Sequence, residues 1–289
     1  MANAGLSKTK RRIQSVKSTQ KLTKAMGMIA AVKLRRYQNA YANGLEYEEE
    51  CRQFMGELFL HDKDTGSHYG KPNEGAEGFL YILLTSNMGL CAAYNSELYK
   101  FIDERIKPGD SLLPVGLKGA AHYAHNTPKG VHLIEGYAEY SIDLSDEQIL
   151  EATSRLRNAF NAGKYQRIYL IYTKYVNSLT FKPYRFQLLP IQMPAYQPPA
   201  DEEYRSPVFE PEARRMIHEL MPLYLSSMLH HRFDEAHLAE QASRRNAMDQ
   251  ANDNAGELID KLTIEYNKAR QGAITQELIE VVTGSQGQN

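Results

Sequence analysis

The sequence predicts an α/β protein in which a compact domain is inserted between long N- and C-terminal helices that form an antiparallel coiled coil. Three observations lead there. The first 60 residues hold no Pro and carry apolar side chains at helical spacing. The middle of the chain alternates short apolar runs with helix-forming stretches. From Leu223 to Val282 there is no further Pro, and a narrow apolar seam recurs at steps of three and four.

Taken in order, residues 1–60 form the N-terminal coiled-coil helix. Leu22, Met26, Ile29, Leu34, Tyr37, Tyr41 and Leu45 recur mostly at steps of three to five, which is helical rather than strand periodicity. A helix of about 55 residues would be about 80 Å long, more than the diameter of an ordinary domain. The loop at 61–77, rich in turn formers, marks a boundary. The α/β domain at 78–194 opens with the apolar strand "GFLYILLTS" and the helix in "CAAYNSELYKFIDERI". "DSLLPVGL" reads as a second strand and "KGAAHYAHN" as a short helix. Ser145 and Gln148 form a capping box that opens a helix to about Ala162, where Gly163 stops it. "QRIYLIYTKYV" and "LTFKPYRFQLLPI" are two further strands, so the domain is Rossmann-like with a largely parallel sheet.

A Pro-rich linker at 195–208 leads to the C-terminal coiled-coil helix, 209–289, which pairs with 1–60. Pro211 suits its first turn, and Pro222 is expected to kink or interrupt it. Its seam runs through Met248, Ala251, Ala255, Leu258, Leu262, Tyr266, Ala269 and Ala273. Neither long helix can bury its seam alone. Paired, they make a rod that needs a partner around it.

Charge is distributed unevenly. Residues 1–45 carry ten Lys or Arg and no acid, which leaves 24 basic against 35 acidic residues in the rest of the chain. The basic helix therefore suits an acidic surface: nucleic acid, lipid, a protein partner or another part of this chain. A transit peptide fits its composition, but its coiled-coil continuation past Arg36 argues for retention. No nucleic-acid reading module accompanies it, and it lacks the aromatic anchors of a membrane-surface helix. No run of about 18 apolar residues is present, so direct membrane insertion is not expected.

Candidate chemistry is sparse. Cys91 in "TSNMGLCAAYN" sits near a helix N-terminus, where a dipole lowers a thiol pKa, yet no base is linked to it in sequence. In "HHRFDEAH", His230 with Asp234 and His231 with Glu235 stand at metal-ligand spacing, but a solvated polar face is the expectation. "HDKDTG" has half of a calcium loop and reads as a plain turn. No catalytic, cofactor-binding or metal residues are expected.

The two termini, "SVKSTQKLTKAMGMIAAVKLRRYQ" and "AMDQANDNAGELIDKLTIEYNKARQGAITQELIEVV", resemble the ends of the gamma subunit family of F-type ATP synthases. "SNMGLCAAYNSEL" resembles that family's Ser-x-x-Gly-Leu-Cys loop. The resemblance implies a non-catalytic central rotor shaft that couples ion-driven rotation of the c-ring to ATP synthesis or hydrolysis at the β subunits. The implied partners are the α and β subunits of the head, the epsilon subunit and the c-ring. The implied place is peripheral, on the cytoplasmic face of a bacterial inner membrane. Matching motifs carry β-subunit contact and coupling to Lys24, Met26, Arg270, Gln271, Thr275 and Glu277. They carry the bearing tip to Val281 and Val282, and a contact of the foot with epsilon and the c-ring to Phe209 and Glu210. Asn87, Met88, Ala92 and Gly27 depart from the family's usual residues, as does the tail "TGSQGQN".

Overall fold

The computed structural model describes residues 2–62, 68–137, 144–192 and 208–286, with side chains for all but 2–4, 277 and 280–286. Helix α1, Ala2–His61, and the C-terminal helix α5, Ala213–Gln286, bracket the α/β elements. Between them lie strands β1 (Phe79–Leu84), β2 (Ser111–Val115), β3 (His132–Leu133), β4 (Arg167–Asn177) and β5 (Thr180–Leu189). Helices α2 (Tyr94–Asp103), α3 (Leu117–Asn126) and α4 (Asp146–Asn161) complete the set. The linker at 195–208 lies outside the described residues except for Val208, and so does most of "HDKDTG".

The chain forms two compact units, one of residues 1–31 with 244–289 and one of residues 32–243. The larger unit is built on a five-stranded sheet of order β3-β2-β1-β4-β5. β1 pairs in parallel with both β2 and β4, and only β5 runs antiparallel. The sequence predicts all of these strands except β3, a two-residue edge too short to show periodicity.

Alternation along β1 sends Leu80, Ile82 and Leu84 to one face and Tyr81 and Leu83 to the other. The first face packs on α4 and on stretches of α1 and α5, through Phe160, Leu58 and Met221. The second packs on α2 and α3, through Leu98 and Tyr123. A parallel sheet covered on both faces accounts for the continuous apolar runs in its strands. The capping box forms as predicted, with Ser145 Oγ accepting from Gln148 N and Gln148 Oε1 accepting from Ser145 N. Gly163 takes the left-handed φ of +69° that ends the helix.

Of the two outcomes expected at Pro222, an interruption does not occur: α5 continues as helix through it. A proline leaves the carbonyl four residues earlier without its helical donor. Here that carbonyl is His218 O, and Arg157 Nη1 of α4 lies 3.5 Å from it. A tertiary donor thus replaces the missing one.

In the smaller unit α1 and α5 run antiparallel. Gln20 Nε2 approaches Asn252 O at 3.4 Å, while a Cβ on Gly27 would meet Met248 Cβ at 3.5 Å and Asp249 Oδ1 at 3.4 Å. The buried stripe of α1 agrees only in part with the one the large side chains suggest. In this unit it runs through Thr23, Gly27 and Ala30, at steps of four and three; in the larger unit Leu34 and Tyr37 are buried, as the sequence predicts. Leu22 and Ile29 are each 60% exposed. Small residues hold the seam because the backbones approach closely there, with room for little more than a methyl at Gly27. On α5 the predicted seam is closer to the observed one. Met248, Ala255, Leu262 and Ala273 are buried, Ala251 and Tyr266 half-buried, and Leu258 and Ala269 exposed.

This pattern separates two seam substitutions. Leu262, 5% exposed, should lose about 2–5 kcal/mol of stability when replaced by Asp, whereas Leu258→Asp should cost about 1 kcal/mol. Denaturant unfolding of the full chain, followed by helical signal, measures both.

Candidate functional site

Two regions concentrate unusual side chains: the outer surface of the paired helices, and a polar collar where α1, β4 and α5 meet in the larger unit. On the paired helices, the seam of small residues leaves the large aliphatic side chains facing out. Leu22, Met28 and Ile29 of α1 are exposed, as are Ile264, Ile274, Leu278 and Ile279 of α5. Apolar side chains exposed in this number along one element mark a surface that another protein covers. The basic residues of α1 lie among them, with Lys21 and Lys24 exposed beside Leu22.

The candidate coupling residues fall into two sets. Lys24 is exposed and Met26 half-buried, one turn from the Gly27–Met248 contact. Arg270, Gln271 and Thr275 are all exposed on α5, and the Thr275 hydroxyl donates to Gln271 O at 2.9 Å. They stand about 20 residues beyond Met248, or about 30 Å along the helix. Glu277, Val281 and Val282 belong to helical backbone, but their side chains lie outside the described residues. At the start of α5, Phe209 packs against the core and edge-on to His61 at 5.0 Å, while Glu210 is exposed.

The polar collar is what sequence reasoning missed. The segment read as a solvated face is largely interior: His231 and Glu235 are each 2% exposed. Arg232 reaches Glu48 of α1 in a two-pronged contact, Nη1 to Oε2 at 2.8 Å and Nη2 to Oε1 at 2.7 Å. Its guanidinium also lies 4.4 Å from the centre of the Phe186 ring. The Tyr172 hydroxyl of β4 donates to Glu235 Oε2 at 2.7 Å. Burial holds the Glu235 carboxyl above its usual range, opposed by the Tyr172 hydrogen bond and Arg232. Burial and the Glu235 charge likewise push the Tyr172 phenol up.

His231 stacks on Tyr41 with ring centres 4.6 Å apart, and a Cβ on Gly44 would come within 2.7 Å of its Nδ1. Glycine at 44 is therefore what allows α1 to pass over this ring. Neither ring nitrogen of His231 has a hydrogen-bond partner. The available signal was the glycine opposite a histidine, which has meaning only once the helices are set antiparallel. A cavity of about 330 Å³ opens beside the cluster, lined by Tyr41, Glu48, Tyr172, His231 and Glu235 among others.

The other chemical candidates find little support. The Cys91 thiol is buried against Ser86 Oγ, Asn95 Nδ2 and Met88 O, atoms that cannot deprotonate it. His230 Nδ1 lies 3.2 Å from Asp234 Oδ2, a contact that raises the imidazole pKa. No cluster of three or more metal-ligating side chains occurs among the described residues. No helix among them is long and apolar enough to cross a membrane.

Comparison with known proteins agrees with this geometry. The sequence model of the ATP synthase family matches residues 5–287. The ATP synthase gamma chain of Mycoplasma mobile is 34% identical over 290 residues, covering 98% of this chain and 99% of its own. That of Mesoplasma florum is 31% identical over 282 residues, covering 98% of each. Among solved structures, a chain of the Euglena gracilis mitochondrial ATP synthase, OSCP/F1/c-ring, aligns with a TM-score of 0.66 at 18% identity. It covers 99% of this chain and 95% of its own. A chain of the Tetrahymena thermophila mitochondrial ATP synthase central stalk/c-ring aligns at 0.58 and 21% identity, covering 80% and 99%.

The collar pair has a measurable signature. Arg232→Ala or Glu48→Ala alone should cost about 1–3 kcal/mol, because each leaves a half-buried charge without its partner. The double variant carrying both Arg232→Ala and Glu48→Ala should cost far less than the sum of the two. A double-mutant cycle on unfolding free energy checks this.

Proposed function

Because the chain belongs to the ATP synthase gamma chain family, we propose that it is the central rotor shaft of an F-type ATP synthase. In this reading it couples ion-driven c-ring rotation to ATP synthesis or hydrolysis at the β subunits and has no catalytic site of its own. The observation that carries the reading is the arrangement of the paired helices, with small residues on the α1 side of the seam and many large aliphatic side chains on the outside. An isolated rod gains nothing by that arrangement. A rod enclosed by other subunits gains a smooth apolar surface that contacts its neighbours without fixed polar bonds.

The mechanism is mechanical. Two paired helices of different sequence present a different face in each direction. A ring of otherwise equivalent sites around them therefore meets unequal surfaces. Each site's conformational equilibrium is shifted by the free energy of the face it touches, and turning the shaft passes that bias from site to site. The exposed basic side chains of α1, Lys24 among them, suit acidic loops of the enclosing subunits. Arg270, Gln271, Thr275 and Glu277 form a second contact level, and Val281 and Val282 the bearing tip beyond it. Glu210 and the neighbouring Phe209 meet the epsilon subunit and the c-ring. Of that pair, Glu210 offers the exposed group, since the Phe209 ring is packed inward. The protein sits peripherally, on the cytoplasmic face of a bacterial membrane, and binds no nucleic acid.

Met26→Lys tests the assignment. It places a charge on a half-buried contact position and should impair ion-driven ATP synthesis severalfold while leaving assembly of the complex intact. Unchanged synthesis by membrane vesicles carrying the variant would remove Met26 from the contact surface. Failure of the wild-type chain to co-purify with an α/β head would remove the rotor reading itself.

A further inference from the structure

We infer that the collar is a proton-operated latch, in which protonation of His231 draws Glu48 away from Arg232 and loosens the hold of α1 on α5. The geometry supplies every part. His231 Nε2 lies 3.7 Å from Glu48 Oε2, the same oxygen that accepts from Arg232 Nη1 at 2.8 Å. The neutral ring makes no hydrogen bond and is held by stacking on Tyr41 and by the absence of a side chain at Gly44. A proton arriving from solvent gives both ring nitrogens an N–H. The Nε2–H then competes for Glu48 Oε2, and the imidazolium repels the Arg232 guanidinium. One carboxylate then serves two cations in an interior that previously held a balanced pair. The cavity beside the cluster gives the proton a route in.

The charged and titratable groups around His231 come from five elements. From α1 they are Tyr41, Tyr47, Glu48, Glu49 and Arg52, from α4 Asp146 and Glu147, from β4 Tyr172 and Lys174, and from β5 Tyr184. From α5 they are His230, Arg232, Asp234 and Glu235. Burial pushes the His231 ring below its ordinary value of 6.5, with Arg232 acting in the same direction and Glu48 and Asp234 opposing. Between that lowered value and 6.5 the folded chain binds fewer protons than the unfolded one. The latch is therefore fully closed above pH 6.5 and weakens as pH falls through this window. Glu235, shifted upward from 4.5 by burial, has the opposite sign: its proton favours the folded state in acid, and that contribution is lost as pH rises. His230, raised by Asp234, titrates on the other side of 6.5 from His231 and serves as an internal contrast.

Amide hydrogen exchange of the full-length chain, corrected for intrinsic pH dependence, tests the latch. Exchange in residues 44–52 and 228–236 should be on the order of tenfold faster at about pH 5.5 than at about pH 7.5. The midpoint of that change should coincide with the titration of the His231 ring, followed by NMR in the wild-type chain. His231→Phe keeps a ring on Tyr41 without a titrating group and should abolish the acid response. Equal exchange at both pH values would overturn the proposal. So would a midpoint that follows His230 instead, or an undiminished response in His231→Phe. The wild-type comparison of midpoints decides the matter even where the variant folds poorly.

Discussion

The closeness of approach between α1 and α5 is the constraint on which the rest of this structure depends. Where α1 meets α5 at Gly27 there is little room, so Thr23, Gly27 and Ala30 form the α1 side of the seam while Leu22 and Ile29 turn outward. In the larger unit the same two helices meet at Gly44, where the missing side chain makes room for a histidine ring. Around that ring the fold buries Glu235 with Tyr172 and half-buries Glu48 with Arg232, in two hydrogen-bonded pairs. Burial of that kind stabilises little in itself. It fixes register, because sliding either helix by one turn would leave the half-buried Arg232 and Glu48 without each other.

The division of labour follows from chemistry. Where the helices lie against the sheet, they carry large apolar groups such as Leu58 and Met221 that join a conventional core. In the smaller unit they turn comparable groups toward whatever surrounds them. A stalk that must turn inside other subunits needs contacts that are broad and apolar, without strong directionality. Dispersion and area burial vary slowly as one surface slides over another, whereas a salt bridge would hold a fixed position. The exposed Ile264, Leu278 and Ile279 suit this requirement.

Much of the fold was legible because local signals sufficed. The capping box at Ser145, the stop at Gly163 and the apolar strands each declare themselves within a few residues. The α1 seam was not legible by size. Reading Leu22, Met26 and Ile29 as buried assumes that the largest apolar residue marks the interface, and close packing reverses that rule. The polar collar was hidden for a related reason. "HHRFDEAH" is indistinguishable from a solvated face until β4 supplies Tyr172 and α1 supplies Glu48, partners more than 60 residues distant in sequence. That α5 continues through Pro222 was not legible locally, because the donor to His218 O comes from another helix. The coupling residues were nameable through family resemblance alone, since exposed side chains on a helix have no local signature of the partner they meet.

The measurement that bears most directly on this account is single-particle imaging of the native complex purified through a tag on this chain. The account predicts a ring of α and β subunits enclosing the paired helices, with Leu22, Met28, Ile29 and Ile264 in apolar contact with the ring. A complex in which this chain lies outside such a ring, or in which those side chains face solvent, would contradict it.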